Sequence, residues 1–244
     1  AAGTPVTFSA GGTGTTGGRV AADGVIVSVE ALDRIIAVDL DNNTIRVEAG
    51  VPLTRIEQAA NSYGLSLRAQ PTEPLALIGG GVSTCASGPK SFKYGSIREY
   101  VLALKVVLSD GTLLEIRRGQ IFAQGRRFSF KLGGRSFDFD LPTYRMPEIK
   151  HAAGYYVKDD MDLIDLFIGQ EGTLGCIAEI TLQLQGMPLD FFDALVFFEE
   201  ENEALDFVER LKGLKRAALM YPCSVEFFDA NSLAFLREDY AAIP

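Results

Sequence analysis

A run of glycine and threonine near the start of the chain has the composition of a phosphate-binding loop. From Gly11 to Gly18 there are five glycines and three threonines and no other residue type. Glycine adopts left-handed backbone dihedrals without strain, so successive peptide N–H groups can converge on one anion. The hydroxyls of Thr13, Thr15 and Thr16 add further donors. The stretch therefore predicts phosphate binding, with a merely flexible surface loop as the alternative.

The same stretch contains the spacing Gly12-x-Gly14-x-x-Gly17, which is also that of a dinucleotide fingerprint. In a Rossmann fold a helix follows this loop at once, because its N-terminus supplies the dipole and the free N–H groups that hold a pyrophosphate. Here the strand-like run Val25 to Val29 follows instead. A Walker A loop is excluded as well, since no Gly-Lys-Ser or Gly-Lys-Thr follows. The loop is therefore predicted to join two strands.

The elements that must position this loop indicate an α+β fold. Strands are predicted at residues 5–8, 24–29, 34–39, 44–49, 101–108, 112–116 and 176–184, and helices at residues 52–63 and 159–167. Residues 68–98 are rich in proline and glycine and are predicted to be irregular. Loops of that length in compact domains are usually functional.

Residues 117–135 contain six basic side chains and no acidic one. Alternating phenylalanines on both sides of Gly133-Gly134 predict a β-hairpin here. Two interpretations of its charge remain open. The basic side chains form a solvated face, or they contact an anionic substrate or a partner.

The order of elements changes after residue 187. Residues 191–198 and 224–228 predict strands, and residues 200–211 and 231–236 predict helices. This β-α-β-α order indicates a second α+β unit. We therefore expect one domain over residues 1–187, with its N-terminal part missing, and the truncated beginning of another over residues 188–244.

Composition argues against several function classes. The chain has 23 Lys and Arg against 32 Asp and Glu, a formal charge of −9, which opposes binding to nucleic acid. Three distant cysteines and one histidine predict no metal site, and the thiols are expected to be reduced in a cytoplasmic setting. No apolar run reaches the length of a membrane span, so none is predicted.

Four segments of the chain, in this order, resemble those of the FAD-linked oxidases of the vanillyl-alcohol oxidase and p-cresol methylhydroxylase type. Residues 9–18 resemble the pyrophosphate loop of that family, residues 71–96 its second flavin loop, residues 150–155 its K-N-x-x-G-Y stretch, and residues 169–175 its G-S-E-G-T-L-G signature. The resemblance is closest to the branch that contains D-lactate dehydrogenases and the FAD subunit of glycolate oxidase.

The resemblance implies an FAD-binding domain of mixed sheets and helices, followed by the start of a ferredoxin-like cap that binds substrate. It implies cofactor contacts at Ala10, Gly11, Gly12, Thr13, Gly14, Thr15, Thr16, Pro71, Gly79, Gly80, Ser83, Thr84, Ser87, Gly88, Tyr94, Glu171, Gly172, Gly175 and Ile177. In such proteins the first loop wraps the pyrophosphate with backbone amides, and this chain has no Lys or Arg inside that loop. The second loop passes the isoalloxazine, and residues 171–177 flank the adenosine end.

Departures from the family pattern carry further expectations. Relatives with covalent flavin have a histidine in the first loop or a cysteine in the second, whereas this chain has threonines in the first and Thr72 and Glu73 in the second. FAD is therefore expected to be non-covalent. His151 replaces the usual asparagine, and we expect a structural or hydrogen-bonding role for it. Cys176 is expected to be a buried small residue, and a loop salt bridge is the alternative role for Glu171.

The resemblance implies oxidation of a D-2-hydroxy acid such as lactate or glycolate, with hydride transfer to flavin N5 and a base that takes the hydroxyl proton. The base is assigned to no residue, since in this branch it looks to lie in a later part of the cap. Expected partners are the hydroxy-acid substrate and another oxidase subunit or an electron acceptor. Two alternatives remain: a non-catalytic FAD-binding or accessory subunit, and a glycine-rich β-protein without a cofactor.

Overall fold

A computed structural model describes residues 3–214 and 221–239 of the chain. The strands are β1 (Val6–Ser9), β2 (Val25–Ser28), β3 (Ile35–Asp39), β4 (Thr44–Glu48), β5 (Leu65–Ser66), β6 (Val101–Val107), β7 (Leu113–Arg117), β8 (Arg127–Leu132), β9 (Arg135–Asp140), β10 (Cys176–Gln183) and β11 (Gln185–Gly186). The helices are α1 (Leu53–Asn61), α2 (Ile78–Ser83), α3 (Ser91–Tyr94), α4 (Leu163–Phe167), α5 (Glu201–Lys212) and α6 (Ala230–Asp239), and a 3₁₀ turn spans Ile97–Tyr100.

The described residues form two compact units. The first comprises residues 3–88 and 95–187 and contains β1 to β11 with α1, α2 and α4. The second comprises residues 89–94, 188–214 and 221–239 and contains α3, α5 and α6. None of the helices in these ranges is long and apolar enough to cross a membrane.

A five-stranded antiparallel sheet forms the centre of the first unit, with strand order β3-β4-β10-β6-β7. Alternate side chains of its three inner strands are buried, namely Ile45, Val47, Leu104, Val106, Ile180 and Leu182. The opposite face carries charged side chains, as the period of two along a strand requires. Because β10 lies between β4 and β6, the loop before it enters the middle of the unit.

The glycine and threonine loop begins at the end of a separate pair of strands. β1 and β2 pair in parallel, with Ser9 opposite Ser28. Residues 10–24 connect them without a helix. This confirms the prediction that the loop joins two strands and is not the first turn of a Rossmann fold.

The prediction that residues 68–98 are irregular is wrong in part, because α2 and α3 lie within them. Helix α2 contains Gly79, Gly80 and Gly81, and glycine is a poor helix former. Tertiary packing explains the exception. A Cβ on Gly79 would lie 2.6 Å from the Cβ of Ala49, so only glycine lets the helix approach β4 this closely. The helix predicted from residue 159 begins later, at Leu163, with Asp162 as its N-cap.

The predicted hairpin is formed by β8 and β9, in which Phe128 lies opposite Phe139 and Phe130 opposite Phe137. Four of its six nearby basic side chains form ion pairs: Arg118 with Asp165, Arg126 with Asp159, Arg127 with Asp138, and Arg135 with Asp110. Since these charges already have carboxylate partners, the structure favours the solvated hairpin over a contact for an anion.

In the second unit the two predicted helices form, as α5 and α6, but the two predicted strands do not. Residues 191–198 and 224–228 have no regular structure. A strand needs a neighbour for its N–H and C=O groups, and no described segment pairs with either stretch. Their apolar side chains are accordingly exposed, with Phe192 at 84% and Leu195 at 86%. An apolar sequence run shows a need for burial but does not supply the pairing strand.

Candidate functional site

Three of the four motif segments meet beside the end of β1. Their glycines approach neighbouring segments closely: a Cβ on Gly80 would lie 3.0 Å from Cβ of Ala10, one on Gly11 would lie 3.2 Å from Cγ of Leu77, and one on Gly172 would lie 3.1 Å from Cδ2 of Phe8. Each of these Cβ contacts would be tighter than ordinary van der Waals contact, so a larger residue at any of the three positions would require its neighbour to move. Residues that are far apart in sequence thus pack into one region.

Backbone hydrogen bonds join the second and fourth segments directly. The N–H of Gly169 donates to the carbonyl of Val82 at 3.0 Å, and that of Glu171 to the carbonyl of Ser83 at 2.8 Å. Beside these bonds, Cys85 and Glu171 have left-handed dihedrals, with φ of 49° and 55°. Such dihedrals are strained for residues other than glycine and concentrate at ligand sites.

Two parts of the second segment, near residues 71 and 88, also come together. A Cβ on Gly88 would overlap the carbonyl oxygen of Gln70 and would lie 3.1 Å from the carbonyl carbon of Pro71. Gly88 is therefore fixed as glycine by the backbone beside Pro71. This closes residues 71–88 into one compact loop whose middle is α2.

The glycine and threonine loop offers free hydrogen-bond donors. Residues 11–20 are exposed, and in the described part of the chain none of the backbone N–H groups of residues 11–16 donates to a protein acceptor. Gly12 and Gly17 have φ of 68° and 75°, dihedrals that turn successive peptide units toward one side. These donors fit an anionic group, as the composition predicts.

Gln170 holds the fourth segment together from the inside. Its side-chain Nε2 donates to the carbonyl of Gly175 at 3.0 Å, and its Oε1 accepts from the N–H of Leu174 at 2.8 Å. The residue is only 1% exposed. Sequence inspection missed this role, because a glutamine in a loop is usually solvated. The signal was a turn of three glycines, which needs a side chain to fix it.

The third segment touches the fourth through a hydroxyl pair. The hydroxyl of Tyr155 lies 2.6 Å from Oγ1 of Thr173. Nearby in sequence, Nδ1 of His151 is buried, and no described residue gives it a hydrogen bond. Buried ring nitrogens generally have a partner. Among the described residues, Nδ1 of His151 therefore has no partner for the hydrogen bond expected of it.

The salt bridge considered for Glu171 does not form with any described basic residue.

A cluster of two arginines and one aspartate fixes the backbone that leads into the fourth segment. Nη2 of Arg98 donates to the carbonyl of Ile168 at 2.5 Å. The carboxylate of Asp165 accepts from Nη1 of Arg98 at 3.3 Å and from both terminal nitrogens of Arg118, at 3.2 and 3.1 Å. The guanidinium of Arg98 also lies 4.1 Å from the ring centroid of Tyr156. The cluster therefore ties the backbone before the fourth segment to the 3₁₀ turn and to Tyr156, which directly follows the third segment.

The predicted cofactor residues do not all have the same environment. Residues 10–16, 71, 80, 83, 84, 87, 88, 171 and 172 are exposed or partly exposed. Gly79, Gly175 and Ile177 are buried by protein atoms, so they pack the unit behind the loops. Tyr94 belongs to the second unit, where its hydroxyl lies 3.7 Å from Sγ of Cys223.

Comparison with known families supplies the deciding observation. Residues 1–117 match a family described as an FAD binding domain, and the match covers both the glycine and threonine loop and the second segment. Residues 1–117 are therefore similar to an FAD-binding domain. The resemblance read from the four motifs is confirmed, and FAD is the cofactor that fits the free amides of the FAD-binding domain.

Similar proteins extend the match beyond the FAD-binding domain. The chain is 30% identical to a D-lactate dehydrogenase of Archaeoglobus fulgidus, over 94% of this chain and 43% of the relative. It is 29% identical to the glycolate oxidase subunit GlcD of Bacillus subtilis, over 98% of this chain and 43% of the relative. The chain thus spans less than half the length of these curated relatives.

A solved structure shares the fold. The match to an alkyldihydroxyacetonephosphate synthase has a TM-score of 0.60 at 19% identity and covers 85% of this chain and 32% of that one. This similarity supports the mixed architecture of helices and sheets around the FAD-binding domain.

The thiol of Cys176, at the start of β10, should react slowly with alkylating reagents in the folded protein. Burial raises the pKa of its thiol above the ordinary value. The thiolate is the form that reacts, so alkylation by iodoacetamide at pH 8 should be slower in the folded protein than in the unfolded chain. The rate should rise only as the pH approaches the raised pKa. Peptide mass spectrometry over a pH series measures this, and rapid labelling of folded Cys176 at pH 8 would contradict it.

Proposed function

We propose that this chain is the FAD-binding part of an oxidoreductase that oxidises a D-2-hydroxy acid of the lactate or glycolate type. One observation carries the proposal: the second and fourth segments with flavin-family motifs meet the first, a loop whose peptide N–H groups at residues 11–16 have no protein acceptor among the described residues. Relatives named D-lactate dehydrogenase and glycolate oxidase subunit support the substrate class.

Different residues of the first unit would have different roles in binding the cofactor. The amides and hydroxyls of residues 11–16 would bind the pyrophosphate, because they are the free donors. The closely packed glycines, such as Gly80 and Gly172, would keep the region beside the end of β1 free of side chains. Bound there, the flavin would supply N5 as the acceptor for a hydride from the carbon that bears the substrate hydroxyl. No described residue is assigned as the base for the hydroxyl proton.

Non-covalent attachment is part of the proposal. The side chains at the covalent positions of relatives are threonine and glutamate here, and neither has the imidazole or the thiol that forms the bond in those relatives. We also propose that residues 188–244 begin a ferredoxin-like substrate-binding cap and that another subunit or an electron acceptor completes the system. The name of the subunit relative and helices α5 and α6 of the second unit support this.

Spectroscopy of the protein that contains this chain tests the proposal. The protein should show the visible absorption of oxidised flavin, and acid precipitation should release that flavin into the supernatant. Under anaerobic conditions D-lactate or glycolate should bleach the absorption, whereas L-lactate should not. Flavin that remains in the protein pellet would refute non-covalent binding. Retained flavin that no D-2-hydroxy acid reduces would refute the substrate class and leave only cofactor binding.

A further inference from the structure

A charged side chain lies directly against the glycine and threonine loop. The guanidinium of Arg19 occupies the space beside Gly12, where a Cβ on Gly12 would overlap Cζ, Nη1 and Nε of the arginine. Gly12 also has a left-handed φ of 68°. Residue 19 follows the loop in sequence, and its side chain folds back over the loop's second residue. The sequence predicted donors only from the loop's own amides and threonine hydroxyls, so Arg19 was not among them.

Arg19 is the only charged residue between positions 10 and 22. The next acidic residue, Asp23, accepts from the N–H of Gly24 through Oδ1. Within the described ranges, no carboxylate forms an ion pair with Arg19. Most other arginines of the first unit are paired. An exposed guanidinium with its donors free thus lies on a loop whose own N–H groups are also free.

The geometry points to Arg19 as a ligand of the FAD pyrophosphate, acting together with the loop amides. This inference rests on the proposed cofactor function. A guanidinium forms two parallel hydrogen bonds to a phosphate, and such charge-assisted bonds are about twice as strong as neutral ones. The loop amides carry only partial charges, and the chain as a whole is acidic. Arg19 therefore supplies the full positive charge that the loop lacks.

A guanidinium that binds the pyrophosphate should make the affinity for FAD depend on salt more strongly than backbone amides alone would. Attraction between a surface guanidinium and a phosphate is screened by salt, so the affinity for FAD should fall as ionic strength rises. Riboflavin, which has no phosphate, should bind without this dependence. Arg19 would thus favour the phosphorylated flavin over the free one.

Titration of apo-protein with FAD tests the assignment. R19Q should raise the dissociation constant about tenfold at low salt and should remove most of the change between about 0.05 and about 0.5 M salt. R19K should recover part of the affinity, because it keeps the charge but not the paired hydrogen bonds. The matched control is R46Q, which removes the same charge from an exposed position on β4 and should leave the dissociation constant unchanged. Thermal melting of each apo-protein checks the fold.

The outcomes are distinguishable. If wild-type protein takes up FAD and R19Q binds it within about twofold of wild type, the assignment of Arg19 is overturned and the proposed function stands. Equal losses in R19Q and R46Q would overturn it as well, because they would show a general effect of net charge. Should R19Q melt early, a wild-type affinity for FAD that is independent of salt would still overturn the assignment. Wild-type protein that takes up no FAD would overturn both proposals together.

Discussion

Gly14→Val should lower the affinity for FAD about 100-fold and leave the apo-protein folded. A Cβ on Gly14 would meet no protein atom within 4 Å, and its φ is not left-handed, so valine costs the apo-protein little. The residue lies among the free donors of the loop, where a pyrophosphate must approach the backbone. Loss of two hydrogen bonds to a charged group costs about 3 kcal/mol, which corresponds to an affinity about 100-fold lower. Fluorescence titration with FAD measures this loss.

Gly186 is the matched control for Gly14→Val, because it lies outside the loop and also has space for a side chain. A Cβ there also meets nothing within 4 Å, and the residue lies on β11. Gly186→Val should bind FAD as wild type does. Gly12→Val is a poorer test, because its left-handed φ and the overlap with Arg19 would disturb the apo-protein too. Normal FAD binding by Gly14→Val would show that the pyrophosphate does not lie against this loop.

The sequence was sufficient to predict many strands and loops of the first unit, because these depend on the pattern of neighbouring residues. Alternating apolar residues fix strands such as β4 and β6, and the glycine and threonine run can hardly form anything but a loop. The four motifs also pointed to segments that the fold brings into contact. The spacing of the motifs did not predict where the segments contact one another. Those contacts depend on β10 lying between β4 and β6, and this strand order is set by tertiary packing.

The residues that sequence inspection missed share one property: their role depends on a distant or folded-back contact. In the sequence Gln170 is an ordinary polar loop residue, but in the fold its side-chain amide bonds both sides of the turn. Arg19 follows the loop in sequence, but its side chain lies against Gly12. The strands predicted at residues 191–198 and 224–228 failed for a related reason. Strand formation depends on a partner, and an apolar run carries no information about which segment supplies it.

Asp165→Asn should cause the largest loss of stability among the substitutions considered. The carboxylate is only 13% exposed and accepts from two arginines, of which Arg98 is 15% exposed. Asparagine keeps the size but replaces one oxygen with an NH₂ group, and it leaves two guanidinium charges without a carboxylate. Breaking a buried ion pair in this way costs about 3 kcal/mol. For a chain of this size that lowers the melting temperature of the apo-protein by about 6–12 °C.

Asp138→Asn is the matched control, because it removes the same charge from an exposed pair. Asp138 lies 2.9 Å from Arg127, with the two side chains 55% and 58% exposed, and such pairs contribute less than about 1 kcal/mol. Asp165→Asn should also weaken FAD binding, since Arg98 would no longer be held where it fixes the carbonyl of Ile168 before the fourth segment. Equal melting temperatures for the two variants would mean that solvent screens the cluster, and the segment would then owe its position to Gln170 and to the bonds with α2.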